Sequence, residues 1–389
     1  MAILHFGTSG WSYKEWVGPF YDKKDKMLSY YSRIFKSVEI DSTFYRYPTK
    51  EQVYGYNRTV SEDFVFAAKL PKLLTHDKLL NPSLGVKEDL SRFLGLMEPL
   101  QNFGKLGAIL IQLPPSFSYE KDHDNFSSFV EMLPQGYDFA VEFRDNSWLR
   151  NDIWKLLRAH NVAYTIVDEP LLPPEIHITA DFSYIRWHGR GKNPWYNYCY
   201  NTEELEKWVP IVDRVSDSTQ TVYGYFNNHY HGYAPENCIE ILGMLQLALP
   251  EQARIKEKIA QYNLQKKQVV YEKKLEEFSL DTKIDVRNLI LELTDKGRLE
   301  RSSTIKDEEL SVVELTDERV FATIREYVIE INKINRIIVH NCDDWKKGLG
   351  NMRLCKHLCR LFLSLPKEQS VTLLADIIDR KRPWKFQYK

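Results

Sequence analysis

The stretch Val38-Glu39-Ile40-Asp41-Ser42-Thr43-Phe44-Tyr45-Arg46 decides how this chain is read. Val38 and Ile40 alternate with Glu39 and Asp41, so a short strand here has one aliphatic face and one face carrying two carboxylates. Two acids on one face repel each other unless donors or a cation lie between them, which makes the tip of this strand a place for chemistry. Seven further segments of the first 230 residues take the same form, at 3–8, 64–69, 107–113, 138–144, 163–168, 184–188 and 221–227. Helical periodicity lies between them, as at 27–35, 84–103, 151–160, 202–215 and 235–249. Eight strands alternating with helices over residues 1–250 predict an α/β fold, a closed parallel TIM-type (β/α)8 barrel. A doubly wound open sheet would show a Gly-rich phosphate turn after its first strand, and Gly7-Thr8-Ser9-Gly10 is too short for one.

Barrel enzymes work at the C-terminal ends of their strands. Those ends are polar here: Glu39 and Asp41, Lys69, Gln112, Glu142 and Arg144, Asp168, Arg186, His188 and Arg190, then Asn227, Asn228 and His229. Acids with histidines can hold Mg²⁺, Mn²⁺ or Zn²⁺ and generate hydroxide near neutral pH. Arginine and lysine match phosphate. The expected roles follow. Glu39, Glu142, Asp168, His188 and His229 hold a catalytic divalent metal or act as base, and Asn228 stands beside them. Lys69, Arg144, Arg186 and Arg190 grip phosphate or stabilise a leaving oxygen. The plainer alternative is charge balance, with the cations there to neutralise four acids in a dry mouth. Trp11, Gln112, Trp195, Tyr196 and Tyr198 are expected to contact substrate, the last three from a polar, Gly-containing loop at 189–198.

In order, Gly7-Thr8-Ser9-Gly10-Trp11, Val38 to Tyr45, Phe66-Ala67-Ala68-Lys69, Gln112-Leu113-Pro114-Pro115, Glu142 to Trp148, Arg186 to Arg190 and Tyr225 to His229 resemble the motifs of the YecE-like family, a domain of unknown function. The likeness spans roughly residues 3–248 and implies a TIM-barrel-type fold; for activity it offers only the analogy of the endonuclease IV and xylose isomerase barrels. Asp41 departs from the family pattern, which has Asn there, so Glu39 is the better candidate for chemistry and Asp41 for support.

Composition is that of a globular protein, with 43% hydrophobic and 28% charged residues. No apolar run approaches the roughly 20 residues that span a bilayer, and Met1 to Gly7 lacks the form of a signal peptide. A cytoplasmic location without membrane contact is expected. The net charge of −1 divides unevenly: residues 251–389 carry 28 Lys/Arg against 23 Asp/Glu, and the preceding 250 carry 25 against 31. A basic tail on an acidic body points to a polyanionic partner.

The tail reads as two modules, 251–316 and 317–389. In the first, a Lys/Gln-rich exit helix leads to helices at 274–278 and 286–294, then to strands at 297–301 and 310–315, the order of a winged helix-turn-helix. In the second, two alternating strands over 327–339 run into His340-Asn341-Cys342, followed after twelve residues by Cys355-Lys356-His357. Three of the five cysteines fall in this window, where a disulfide framework would spread them. Two ligand pairs separated by a loop supply the four ligands of a structural zinc, His340, Cys342, Cys355 and His357, with Cys359 as a substitute. The pattern resembles a SWIM-type zinc finger with His340 in its first Cys position, and that resemblance implies nucleic acid, DNA in particular, as partner. Lys346, Lys347, Arg353, Lys356 and Arg360 around the site and the basic, aromatic end Arg380 to Lys389 agree with it. The expected function is a metal-dependent endonuclease on damaged or single-stranded DNA, a repair enzyme. A DNA-binding protein with a scaffold barrel and an enzyme of sugars or sugar phosphates are the alternatives. The sequence sets no oligomeric state.

Overall fold

In the computed structural model the described residues are 2–172, 174–192, 194–280, 285–378 and 384–389, with backbone alone for 267–280. They fall into two compact units, Met1–Gln265 and Lys266–Lys389.

The first unit is the expected barrel. Its parallel strands are β1 (Ile3–Thr8), β2 (Ser37–Ile40), β3 (Val65–Lys69), β4 (Leu106–Gln112), β5 (Phe139–Glu142), β6 (Val162–Asp168), β7 (Phe182–Trp187) and β8 (Thr221–Phe226). They pair in the order β1-β8-β7-β6-β5-β4-β3-β2. The seam between β1 and β2 closes through few backbone contacts, chiefly a bridge of Ser9 to Glu39 and a 2.8 Å hydrogen bond from Gly10 N–H to the Glu39 carbonyl. Tyr31 completes it: its hydroxyl accepts from Thr8 N–H at 2.9 Å and donates to the Ser37 carbonyl at 3.1 Å. Gly7 permits this approach, since a Cβ there would lie 2.0 Å from the Ser37 oxygen. The seam therefore fixes Glu39 at the mouth.

Inside the barrel, size complements size. Ala67, Ala108, Ala140 and Ala163 from β3 to β6 face Phe182, Tyr184, Tyr223 and Tyr225 from β7 and β8. Outside it, the helices bury a second layer that includes Val38, Ile40, Phe93, Ile109 and Ile185. The helix expected at 202–215 is two helices, Thr202–Glu206 and Val209–Ser218. Pro210, lacking an N–H and crowding the preceding turn, sits where the second begins.

In the second unit, β9 (Leu310–Leu315), β10 (Arg319–Ile324), β11 (Tyr327–Asn332), β12 (Ile337–His340) and β13 (Lys385–Tyr388) form a sheet in the order β13-β12-β11-β10-β9. Along β10, buried Val320, Ala322 and Ile324 alternate with more exposed neighbours, the period of a half-buried strand. Two expectations change here. Residues 297–301 are helical, within Lys296–Ser302, because Asp295 caps that turn by accepting from Arg298 N–H at 3.0 Å. The partner of β9 is consequently β10, so residue 316 falls within a hairpin. The helix expected at 274–278 is part of one long helix, Pro250–Leu280. No helix of the described residues is long and apolar enough to cross a membrane.

Candidate functional site

The floor of the barrel mouth is a buried ion network. Arg186, without solvent exposure, donates from Nη2 to Glu39 Oε1 at 2.8 Å and from Nη1 to Glu142 Oε2 at 2.7 Å. Tyr184 hydroxyl donates to Glu39 Oε2 at 2.7 Å, and Ser9 hydroxyl to Oε1. Gln112 Oε1 lies 3.4 Å from Arg186 Nη1. Burial alone would raise the Glu142 carboxyl, but Arg144 and Arg186 outweigh it and hold the group well below the usual range.

Arg144 is divided between Glu142 and a residue the sequence reading missed, Glu169, pairing with each through a different guanidinium nitrogen. Burial pushes the Glu169 carboxyl up to about 7 against the pull of Arg144. His188 Nε2 lies 3.1 Å from Arg144 Nη2 and 3.4 Å from Arg186 Nη1. The Asn227 side-chain NH2 only donates, so Nδ1, 3.0 Å from it, carries the lone pair, and the proton sits on Nε2, which also lies 3.4 Å from Glu142 Oε2. Burial, then Arg144, lowers His188 to about 3, and the ring stays neutral.

Above this floor opens a cavity of about 630 Å³, lined by Lys69, Arg144, His188, Gln112 and His229 among others. Lys69 donates to Asp41 at 2.8 Å and lies 4.5 Å from the centre of the Phe44 ring. Asp41, which burial would raise, is lowered by that ammonium. His229 is clamped between Tyr13, with ring centres 4.5 Å apart, and Tyr196, at 5.2 Å. Its Nδ1 donates to the Asn227 carbonyl at 3.2 Å, which leaves the lone pair on Nε2. Burial lowers its pKa, so it is a neutral base near pH 7. Tyr45 and Trp195 complete an aromatic wall, with Trp195 5.9 Å from the Arg144 guanidinium.

The remaining candidates stand elsewhere. Asp168 is saturated by Arg190, at 2.8 and 3.0 Å, and by Trp208 Nε1 at 3.0 Å. Asn228 is buried and holds the Tyr198 carbonyl and Asn237, each at 2.8 Å. Tyr198 donates to Glu204, and Trp11 packs edge-on against Tyr56. The acids expected to hold a catalytic metal are thus committed to arginines: Glu39 and Glu142 to Arg186, Asp168 to Arg190.

In the second unit His340, Cys342, Cys355 and His357 come together, all buried, with one ligand atom of each within 4.8 Å of the others. Among the described residues this is the group placed to hold a metal ion. Zinc bonds of 2.0–2.1 Å to nitrogen and 2.3 Å to sulfur set ligand atoms roughly 3.3–3.8 Å apart. His340 Nε2 and His357 Nδ1 are 3.4 Å apart, and Cys355 Sγ and His357 Nδ1 are 4.0 Å apart. His340 Nδ1 donates to the Val328 carbonyl at 2.7 Å, turning an unprotonated Nε2 inward as a ligand histidine requires. Cys342 Sγ accepts from Trp345 N–H at 3.3 Å. Cys359 is buried outside the group. Of the basic residues around it, Arg360 pairs with Asp307 and Lys346 lies over Tyr388, while Arg380 to Arg382 lie outside the described residues.

Residues 5–261 match the family described as "Protein of unknown function DUF72". The chain is 25% identical over 269 residues to the UPF0759 protein YunF of Bacillus subtilis, covering 63% of this chain and 95% of that one. It is 29% identical over 275 residues to the UPF0759 protein YecE of Escherichia coli O157:H7, covering 64% and 95%. Among solved structures it resembles a DUF72 family protein of Thermotoga maritima, with TM-score 0.57, 32% identity, and coverage of 63% of this chain and 99% of that one. One from Enterococcus faecalis, at 24% identity and TM-score 0.56 over 64% of this chain and 97% of that one, shares the fold. The barrel match, its motifs and its strand order agree, and the chain belongs to the DUF72 family.

Proposed function

We propose that this DUF72 protein is a DNA-processing phosphodiesterase whose barrel mouth admits one nucleotide of a single-stranded or damaged strand. Its second unit, on this reading, holds a structural zinc ion in a SWIM-like site and binds DNA. The carrying observation is the convergence on one cavity of Lys69, Arg144 and His229, whose Nδ1 is engaged and whose Nε2 keeps the lone pair. About 630 Å³ lies in the ~300–1,000 Å³ range of small-ligand sites, so a base must leave its stack to enter. Tyr45, Trp195 and Tyr196 offer rings for it to stack on.

The chemistry assigned to these residues is hydrolysis. His229 Nε2 takes a proton from water as the water oxygen bonds to phosphorus and the bond to the leaving oxygen breaks. Lys69 and Arg144 stabilise the charge that grows on the phosphoryl oxygens, and the leaving oxygen takes its proton from solvent. Of the mouth carboxylates, Glu39, Glu142 and Glu169 pair with arginines and Asp41 with Lys69. In the second unit the two imidazoles and two thiolates would hold zinc, which supplies folding energy there rather than catalysis.

A cavity of this size also suits a free sugar phosphate, so that class belongs in the test. The purified chain is incubated with labelled single-stranded, abasic and irradiated DNA and with sugar phosphates, with and without Mg²⁺ or Mn²⁺. Cleavage of DNA supports the reading. Turnover of sugar phosphates alone, or salt-sensitive DNA binding with no cleavage, replaces it.

A further inference from the structure

The buried charges of the mouth do not cancel. Arg186, Arg144 and Lys69 face Glu39, Glu142, Asp41 and Glu169, three cations against four carboxyls. Arg186 and Lys69 are matched by Glu39 and Asp41, and Glu142 lies between Arg186 and Arg144. Glu169 is the surplus acid. Its side chain is fully covered, and among the described residues its Oε1 has no hydrogen-bond partner. Its other oxygen occupies the Arg144 guanidinium, the arginine that lines the cavity. An anion arriving at Arg144 therefore shares that guanidinium with Glu169 and adds a further negative charge to a desolvated site. Two carboxyl-like anions sharing one cation out of water are not both retained at full charge.

We infer that an anionic ligand is bound at the barrel mouth together with one proton taken from solvent, that Glu169 receives this proton, and that its neutralisation releases Arg144 to the ligand. Glu169 is then a positioning residue, acting through Arg144. The inference rests on the anion-binding part of the function proposed above, not on hydrolysis. The ionisable groups around Glu169 leave it as the proton acceptor. Arginine side chains do not deprotonate in proteins, and Glu142 is held ionised by its two arginine neighbours against the effect of burial. Tyr164, buried on β6, is pushed upward and stays protonated. His188 is neutral down to about 3, and His229 is lowered by burial, so neither takes up a proton above neutrality without a change of environment. The Glu169 carboxyl, raised to about 7 by burial against Arg144, lies where a modest rise suffices to protonate it.

Sulfate is the probe, because it stays a dianion throughout the neutral range and brings no titration of its own. Calorimetric titration of the full chain at about pH 8, in buffers of different ionisation enthalpy, reads the protons taken up per ion bound. On the order of one proton per sulfate is expected, with affinity falling up to about tenfold per pH unit above neutrality. Glu169→Gln is expected to bind sulfate with no uptake and no pH dependence, and Lys69→Met to lose the binding, which places it in the mouth. Wild-type binding without proton uptake overturns the inference while leaving the anion site standing, and needs no variant to fold. Equal uptake by Glu169→Gln also overturns it. Failure of wild type to bind sulfate removes the anion site itself.

Discussion

Arg186 Nη1 donates to Glu142 Oε2 at 2.7 Å, and neither side chain has any exposure to solvent. A buried pair adds little beyond what an apolar pair of the same volume would contribute, but losing one partner strands the other. Arg186 also holds Glu39, so Arg186→Met leaves Glu39 without a cation and Glu142 with Arg144 alone. The barrel is expected to lose about 3–5 kcal/mol, read as a lowered urea midpoint. An unchanged midpoint would show that the network does not hold the mouth.

Glu142 carries the pH dependence of that network. Its folded-state pKa is depressed well below 4.5 by Arg144 and Arg186 against the effect of burial. A depressed carboxyl contributes stability that is complete above its unfolded value and is lost as pH falls through the folded value. Glu142→Gln is therefore expected to destabilise the barrel at pH 7, with a penalty that shrinks below about pH 4.5 and vanishes beneath the folded pKa. Denaturation curves of both proteins across that range measure it, and a penalty that does not vary with pH would place the effect in packing.

The second unit is expected to bind one zinc ion per chain through His340, Cys342, Cys355 and His357. Cys355→Ala and His340→Ala are expected to lose it, and a chelator to lower the melting temperature of wild type but not of the variants. Elemental analysis of purified protein is the check. Metal retained in Cys355→Ala, or in Met1–Gln265 alone, would contradict this placement.

The eight barrel strands were legible because buried parallel strands read as short aliphatic runs between helical patterns. Ile3–Thr8 matches its observed bounds, and the others agree within two residues at each end. His340, Cys342, Cys355 and His357 were legible from spacing, since a one-residue gap at each side of a loop survives folding as a pair of adjacent ligands. Partner choice was not legible. The polar strand tips marked the mouth, yet nothing in their order says that Arg186 takes both Glu39 and Glu142, or that Asp168 turns to Arg190. Glu169 was missed because it follows Asp168 just past the end of β6, where two-residue alternation no longer states which way a side chain points. Trp11 and Tyr196 looked alike as aromatics near strand ends, and only packing separates the ring against Tyr56 from the one beside His229. The stretch 297–301, expected as strand, is helical within Lys296–Ser302, and the Asp295 cap marks where that helix starts.

The proposed hydrolysis depends on His229 working as a base in a phosphate-binding mouth. Single-turnover cleavage of an end-labelled single-stranded oligonucleotide by wild type and by His229→Gln tests it most directly, with oligonucleotide affinity measured in parallel. Wild type is expected to cleave, the variant to be slower by about 10²- to 10⁴-fold, and affinity to stay within a few-fold. No cleavage by wild type, or equal rates in the two proteins, would contradict it.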